Sequence, residues 1–358
     1  MTYANSGVDT DQAASSLKGL LSWVGRTLSL RQTVGAARLP IGYFANVVDI
    51  GNGMGIAIST DGVGTKVLVA EMMNKYDTVG IDCIAMNVND VLCVGAEPIS
   101  MVDCISLEEA RPDLLEEIGK GLYKGAEQAR ITITGGEIAQ VQEIIKGQRE
   151  GYGFDLIGTC IGLVRLDRLI VGADIEEGDA IVGLRSSGIH SNGMTLTRKV
   201  LFGQAGFSPD KYFDQLGRTL GEELLEPTRI YVPEIMEVLS AGLKVKALAH
   251  ITGDGFLNLT RVNSETGFVI EQLPPPHPIF DLIQQASGIP DEEMFQVYNM
   301  GIGFCVIVPQ EDADKVIAIA RKHGVDAYKI GRAVHDPEKR VVIEPKKLVS
   351  KGNAFVRA

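Results

Sequence analysis

A chain of 358 residues exceeds the length over which one hydrophobic core usually grows, so two domains of roughly 150 to 200 residues are expected. Hydrophobic residues at 45% and charged residues at 22% are ordinary globular values and argue against disordered or fibrous classes. The net charge of −12 gives no electrostatic footprint for nucleic acid or an anionic membrane, so an anionic ligand must be met by local devices. No apolar run approaches the roughly 18 residues that span a bilayer, and the start of the chain has neither the basic residues nor the apolar stretch of a signal peptide. A cytoplasmic address is the expectation. The five cysteines, Cys83, Cys93, Cys104, Cys160 and Cys305, form no CxxC pair and sit in apolar stretches, as plain buried thiols do.

In chain order, Val47 to Thr60 alternates on both sides of a Gly-Asn-Gly turn and predicts a hairpin that delivers Asp61 to a strand end. Ile81, Ile84, Ala85, Val88 and Leu92 recur at helical spacing and predict a buried helix from Thr78 to Val94, stopped by Gly95. Leu115, Ile118, Leu122, Ala126 and Ala129 mark an amphipathic surface helix, followed by a strand at Ile131 to Thr134. Another strand covers Phe154 to Val164. The turn-rich segment after it places the domain boundary near residue 167, giving domains 1–167 and 168–358. The second half continues with a helix after Asn192, a helix at Glu234 to Leu239, a strand at Gly301 to Val308 and a helix from Glu311 to His323. Pro274 to Pro276 reads as a loop. This is an α+β mixture of two mixed α/β domains, not strict βαβ winding.

Gly, Asp, Ser and Thr concentrate at five places beside apolar elements, where backbone amides and short hydroxyls can meet phosphate oxygens. The first, Ser59-Thr60-Asp61-Gly62-Val63-Gly64-Thr65-Lys66, is not a Walker A loop. Its glycines let amides approach an anion, Lys66 supplies charge, and Asp61 is a hard oxygen ligand suited to magnesium. Equally, it is a strand-to-helix turn capped by Asp61. In the second, Asp82 and Asn87-Val88-Asn89-Asp90 interrupt an apolar helix and need compensation, by a metal or by an internal hydrogen-bond network. The third, Thr134-Gly135-Gly136-Glu137, puts a carboxylate just after a strand, or simply on a surface turn. The fourth, Ser186-Ser187-Gly188-Ile189-His190-Ser191-Asn192-Gly193, offers hydroxyls, amides and an imidazole for a phosphate and an acid or base, or else an N-cap cluster. The fifth is His250-Ile251-Thr252-Gly253-Asp254-Gly255, whose histidine is otherwise just hydrogen-bonded at a strand end. His277, His323 and His335 read as surface residues.

These motifs, in this order, together with Gly7-Val8-Asp9, Val79-Gly80-Ile81-Asp82, Glu226-Pro227-Thr228-Arg229-Ile230-Tyr231-Val232, Asn299-Met300-Gly301-Ile302-Gly303 and Lys329-Ile330-Gly331, closely resemble the aminoimidazole ribonucleotide synthetase family, also called phosphoribosylformylglycinamidine cyclo-ligases. The match covers nearly the whole chain, and the combination is specific where each fragment is not. The resemblance implies a homodimer whose N-terminal sheets pair, with ATP bound near that interface and the C-terminal domain closing over it. It implies ATP-dependent conversion of formylglycinamidine ribonucleotide, a small phosphorylated substrate, to aminoimidazole ribonucleotide in purine biosynthesis.

By position, Asp61 and Asp90 resemble magnesium ligands supported by Asn87 and Asn89, while Lys18 and Lys66 resemble nucleotide-side charges. Gly62, Gly64, Thr65, Gly136 and Glu137 fall on the nucleotide side. Ser187, Gly188, Ser191, Asn192, Thr252 and Gly253 fall on the substrate side, with His190 and His250 as catalytic candidates. ATP and Mg2+ are the implied cofactors, with K+ a further candidate. Three departures stand out. The loop after Glu137 (Ile138-Ala139-Gln140-Val141-Gln142) differs from the common GGETAEMPGMY, Asp254 replaces a glycine, and Tyr3 is followed by Ala4-Asn5 where a lysine is usual. The rival readings are thiamine-monophosphate kinase or selenophosphate synthetase, whose early motifs are absent, and a non-catalytic nucleotide-binding paralogue.

Overall fold

The computed structural model describes residues 10–358, with side chains from Ser16 onward; Gly7-Val8-Asp9 and Tyr3-Ala4-Asn5 lie outside the described residues. After α1 (Thr10–Val24), the chain builds β1 (Asn46–Gly51) and β2 (Met54–Gly62), the expected hairpin, whose tip places Asn52 and Gly53 at positive φ of 55° and 73°. That pair suits the twist of a tight hairpin turn. Next come α2 (Val67–Met73), α3 (Val79–Leu92), β3 (Glu97–Leu107), α4 (Pro112–Ala129), β4 (Thr132–Gln140) and β5 (Phe154–Arg165). The strands form one sheet in the order β1-β2-β5-β3-β4, antiparallel except for the β3–β4 pair.

The helix expected at Thr78 to Val94 is α3, and every one of its residues is buried except Asp90. It packs so closely on α4 that a Cβ on Gly80 would run into the backbone of Gly121 and Leu122, which explains the glycines at this crossing. In α4 the buried stripe is Leu114, Ile118, Leu122, Ala126 and Ala129, so Leu114 takes the fully buried place expected for Leu115. Residues of β2, β3 and β5 alternate in and out. On the face away from α3, Ile58, Val102, Ile157 and Leu163 are exposed.

The second half contributes β6 (Ala180–Arg185), α5 (Met194–Arg198), the short hairpin β7 (Tyr212–Phe213) and β8 (Arg218–Thr219), α6 (Leu220–Leu224), α7 (Val232–Ser240), β9 (Ala247–His250) and β10 (Thr266–Ile270). It continues with α8 (Pro278–Ser287), α9 (Asp291–Val297), β11 (Ile302–Val308), α10 (Ala313–Lys322), β12 (Ala327–His335), β13 (Val341–Ile343), β14 (Leu348–Lys351) and β15 (Ala354–Arg357). Eight strands make one sheet in the order β15-β14-β13-β10-β12-β6-β11-β9. Strand β11, IGFCVIV, paired on both sides by β6 and β9, is buried along its whole length, as a continuous apolar run in a strand covered on both faces should be.

Thr134-Gly135-Gly136-Glu137 does not follow a strand; it lies inside β4, which pairs with β3 from Ser100 to Leu107. Ladder hydrogen bonds hold this glycine-rich segment extended where local propensity alone argues for a turn. Among the described residues no helix is long and apolar enough to cross a membrane.

Candidate active site

Asp61 stands at the end of β2, its carboxylate accepting the Gly62 N–H at 2.7 Å. Beneath the strand, Asn87 donates from Nδ2 to the Asp61 carbonyl (3.1 Å) and to the Cys83 carbonyl (2.9 Å), while its buried Oδ1 has no partner among the described residues. One turn further on α3, Asp90 meets His250 Nδ1 at 2.9 Å and the Ser59 hydroxyl at 3.5 Å. Burial raises the Asp61 carboxyl above its usual range, and the neighbouring Asp90 charge raises it further. Two hard oxygen donors thus lie close together. Their repulsion, and the buried Asn87 Oδ1 left without a partner among the described residues one turn before Asp90 on α3, fit a divalent cation. Among the described residues no three His, Cys, Asp or Glu side chains are grouped so as to hold a cation by themselves.

A carboxylate that sequence reasoning missed belongs to the same sheet face. Asp103 on β3 and Asp61 on β2 are both paired with Gly158 of β5, which puts all three in one row. Burial raises Asp103 as well. Gly136 is the next residue in that row, and a Cβ there would lie 2.6 Å from Asp103 Oδ1. The glycine of the third motif thus makes room for a carboxylate, while the exposed Glu137 alternates to the other face of the edge strand. The readable signal for Asp103 was its place among alternating apolar residues in Met101-Val102-Asp103-Cys104-Ile105.

Several residues expected around phosphate are committed to the interior instead. Lys66, fully buried, donates from Nζ to Asp82 Oδ1 at 2.9 Å and to the Glu226 carbonyl at 2.6 Å. The same Asp82 oxygen accepts the Thr228 N–H (2.7 Å), the Thr228 hydroxyl (2.6 Å) and the Ser191 hydroxyl (3.3 Å). Lys66 and Ser191 therefore weld α3 to the Glu226–Val232 segment of the second half, and their polar atoms do not face an open surface. Asn89 does the same work, donating to the Arg229 carbonyl (2.8 Å) and accepting from the Tyr231 N–H (3.0 Å). The compensation expected for the polar residues of α3 comes largely from hydrogen bonds within the protein. Ser187 donates to the Pro227 carbonyl at 2.5 Å, and Thr65 shares a 2.8 Å hydroxyl contact with Thr195 of α5.

His190 sits at φ 69° with 3% of its surface exposed. Its Nε2 accepts the backbone N–H groups of Ser187 (3.2 Å) and Arg229 (3.5 Å), so the ring is neutral with its proton on Nδ1. Burial holds it well below the ordinary histidine range, reinforced by the positive charges of Lys66 and Arg229. The imidazole is a buried acceptor that shapes the Ser186–Gly193 loop, not a titrating group at a surface. Gly188 of that loop presents its carbonyl to Asn299, which also binds Ser186 and pins the loop to the second sheet.

Asn192, half-buried, has an Nδ2 without a partner among the described residues, and its Oδ1 borders Gly253. Thr252, Gly253 and Asn192 thus form a polar lip with an unused donor. His277 is half-buried, not superficial, and donates from Nε2 to the Ser186 carbonyl at 2.9 Å; His323 meets Glu237 at 2.8 Å. Lys18 is exposed on α1 with no ion pair among the described residues, and Gly62, Gly64 and Thr65 follow Asp61 at the β2 end. A surface cavity of about 710 Å³ lined by Thr260, Lys339, Arg340 and Lys351 shares no residue with this cluster. The convergence of half-buried carboxylates, not cavity size, marks the candidate site.

Comparison with known proteins agrees in both halves. Residues 42–164 match the AIR synthase related protein N-terminal domain, and residues 176–344 match the corresponding C-terminal domain. The phosphoribosylformylglycinamidine cyclo-ligase of Methanocaldococcus jannaschii is 48% identical over 339 residues, covering 94% of this chain and 93% of its own. That of Pyrococcus horikoshii is 44% identical over 339 residues, covering 95% and 97%. Among solved structures, AaThiL complexed with AMPPCP and TMP superposes with a TM-score of 0.63 at 18% identity over 94% of this chain and 96% of that one, which shows the shared fold. With both family domains present and identity near one half along almost its full length, the chain belongs to the phosphoribosylformylglycinamidine cyclo-ligase family.

Proposed function

We propose that the chain closes formylglycinamidine ribonucleotide to aminoimidazole ribonucleotide, with ATP converted to ADP and phosphate. The observation that carries this reading is the Asp61–Asp90 pair, held at the boundary of the two halves in a chain similar to cyclo-ligases over some 94% of its length. A formamide carbonyl is a poor electrophile and its oxygen a poor leaving group. Transfer of the terminal phosphoryl group to that oxygen forms an O–P bond, releases ADP and corrects both faults. An amidine nitrogen of the same molecule then attacks the carbon, where effective concentration is high, loses its proton to solvent, and the C–O bond breaks with phosphate leaving.

Asp61 and Asp90 would hold Mg2+, which when bound offsets charge on the transferring phosphoryl group. K+ is a further candidate. The Gly62–Thr65 backbone orients the nucleotide, and Asn192, Thr252 and Gly253 orient the second ligand. The domains divide at residue 167, and the protein acts in the cytoplasm. A second copy covers the exposed Ile58, Val102, Ile157 and Leu163 face of the first sheet, making a homodimer. Light scattering is expected to give twice the chain mass; an active species of single mass would remove the dimer.

The chemical test labels the formyl oxygen with a heavy isotope and runs the reaction in ordinary water. Label is expected in inorganic phosphate in proportion to aminoimidazole product. Full product with unlabelled phosphate would reject oxygen activation, and turnover of thiamine monophosphate with none of the ribonucleotide would reject the substrate.

A further inference from the structure

We infer that His250 is a positioning residue: it presets the Asp90 carboxylate for a cation through Nδ1–H and takes no proton from substrate. This rests on the proposed cation role of Asp61 and Asp90. The side chain of His250 is fully buried at the end of β9, and its backbone is fixed by the pairing with Phe304 of β11. Both ring nitrogens are engaged. Asn89 settles which one carries the proton. Its Oδ1 must face the Tyr231 N–H and its Nδ2 the Arg229 carbonyl, so the amide has one orientation and presents its NH2 to His250 Nε2 at 3.4 Å. Nε2 is therefore the bare nitrogen, and Nδ1–H donates to Asp90 Oδ1 at 2.9 Å. Neither nitrogen remains to reach a bound molecule.

Asp90 is the one residue of α3 that is not buried. With Oδ1 fixed by His250, its carboxylate plane is set, and Oδ2, beside the Ser59 hydroxyl at 3.5 Å, is the oxygen left for a cation. Partners of this kind typically change cation affinity by about 10- to 100-fold when removed. The arrangement also means that a strand of the second sheet orients a ligand carried by the first half. Part of the site is therefore built from the other side of the molecule.

The test uses near-isosteric replacements. In His250→Asn the amide nitrogen falls where Nδ1 was and restores the donor to Asp90; in His250→Gln the amide reaches the Nε2 position and leaves Asp90 unheld. Mn2+ affinity is read by electron paramagnetic resonance with a non-hydrolysable ATP analogue, beside kcat and KM for cyclisation and a thermal melt of each variant. His250→Gln is expected to weaken Mn2+ binding about tenfold or more and to lower kcat, while His250→Asn stays within about threefold of the parent on both. His250→Phe should resemble the Gln variant; if it does not fold, the Asn and Gln pair decides alone. The inference is overturned if His250→Asn loses turnover as deeply as His250→Gln while both keep parental Mn2+ affinity, the pattern of a lost acid or base. A parent protein that forms no cyclised product, yet shows the same Mn2+ series, would reject the proposed reaction and uphold the positioning role.

Discussion

Asp82→Ala is expected to cost about 3–5 kcal/mol of stability, the range for removing one partner of a buried ion pair. Four donors converge on one Asp82 oxygen: Lys66 Nζ, the Thr228 N–H, the Thr228 hydroxyl and the Ser191 hydroxyl. With the carboxylate gone, an ammonium of zero exposure keeps only the Glu226 carbonyl. The loss is a large share of the roughly 5–15 kcal/mol that holds an average domain folded. Chemical denaturation should show a large fall in the unfolding midpoint, and thermal melts a drop of roughly 5–10 °C. Asp82→Leu with Lys66→Met, which removes both charges at similar volume, should recover much of the loss. A midpoint unchanged in Asp82→Ala would mean that the pair does not hold the halves together.

Asp61→Asn is expected to separate activity from stability. Turnover should fall about 10²- to 10³-fold, the scale seen when one preorganised electrostatic group is removed from a phosphoryl or acyl transfer site. The fold should not suffer. Because burial and Asp90 raise the Asp61 carboxyl above its unfolded value, its ionised form at neutral pH is held at a cost, most of which is present above the folded-state value and disappears as pH falls below the unfolded one. An amide of the same shape carries no such cost, so the melting temperature at pH 7 should match or exceed that of the parent. Retained turnover with intact metal dependence would remove Asp61 from the site.

Much of the first half was legible because its elements obey simple periods. The Val47–Thr60 alternation became β1 and β2, and the apolar spacing from Ile81 to Leu92 became α3. What spacing cannot reveal is which partner a charged side chain meets across the fold. Lys66 looks like a phosphate-binding lysine beside its glycines. It is 160 positions from Glu226, whose carbonyl it binds, and its main counter-charge is Asp82 on α3. Ser191 and His190 were likewise read from composition, which cannot distinguish a serine facing solvent from one turned to a buried aspartate. The Gly135-Gly136 pair misled in the other direction, since sheet pairing overrides the local preference of glycine for turns. In the second half, β13, β14 and β15 are only three or four residues long and lack a readable period, so their sheet membership depends on neighbours distant in sequence.

The near-total burial of α3 bears on how this chain can be divided. Family matches that end at residue 164 and resume at 176 invite expression of the two parts separately. Yet the face of α3 carrying Asp82 and Asn89 is clothed by Thr228, Arg229 and Tyr231, which a fragment ending near 167 would lack. Such a fragment would present an apolar helix studded with unsatisfied amides and a stranded lysine–aspartate pair to solvent. Its natural fate is aggregation unless the missing piece is supplied alongside, which makes the junction a workable seam for fragment complementation and a poor one for truncation.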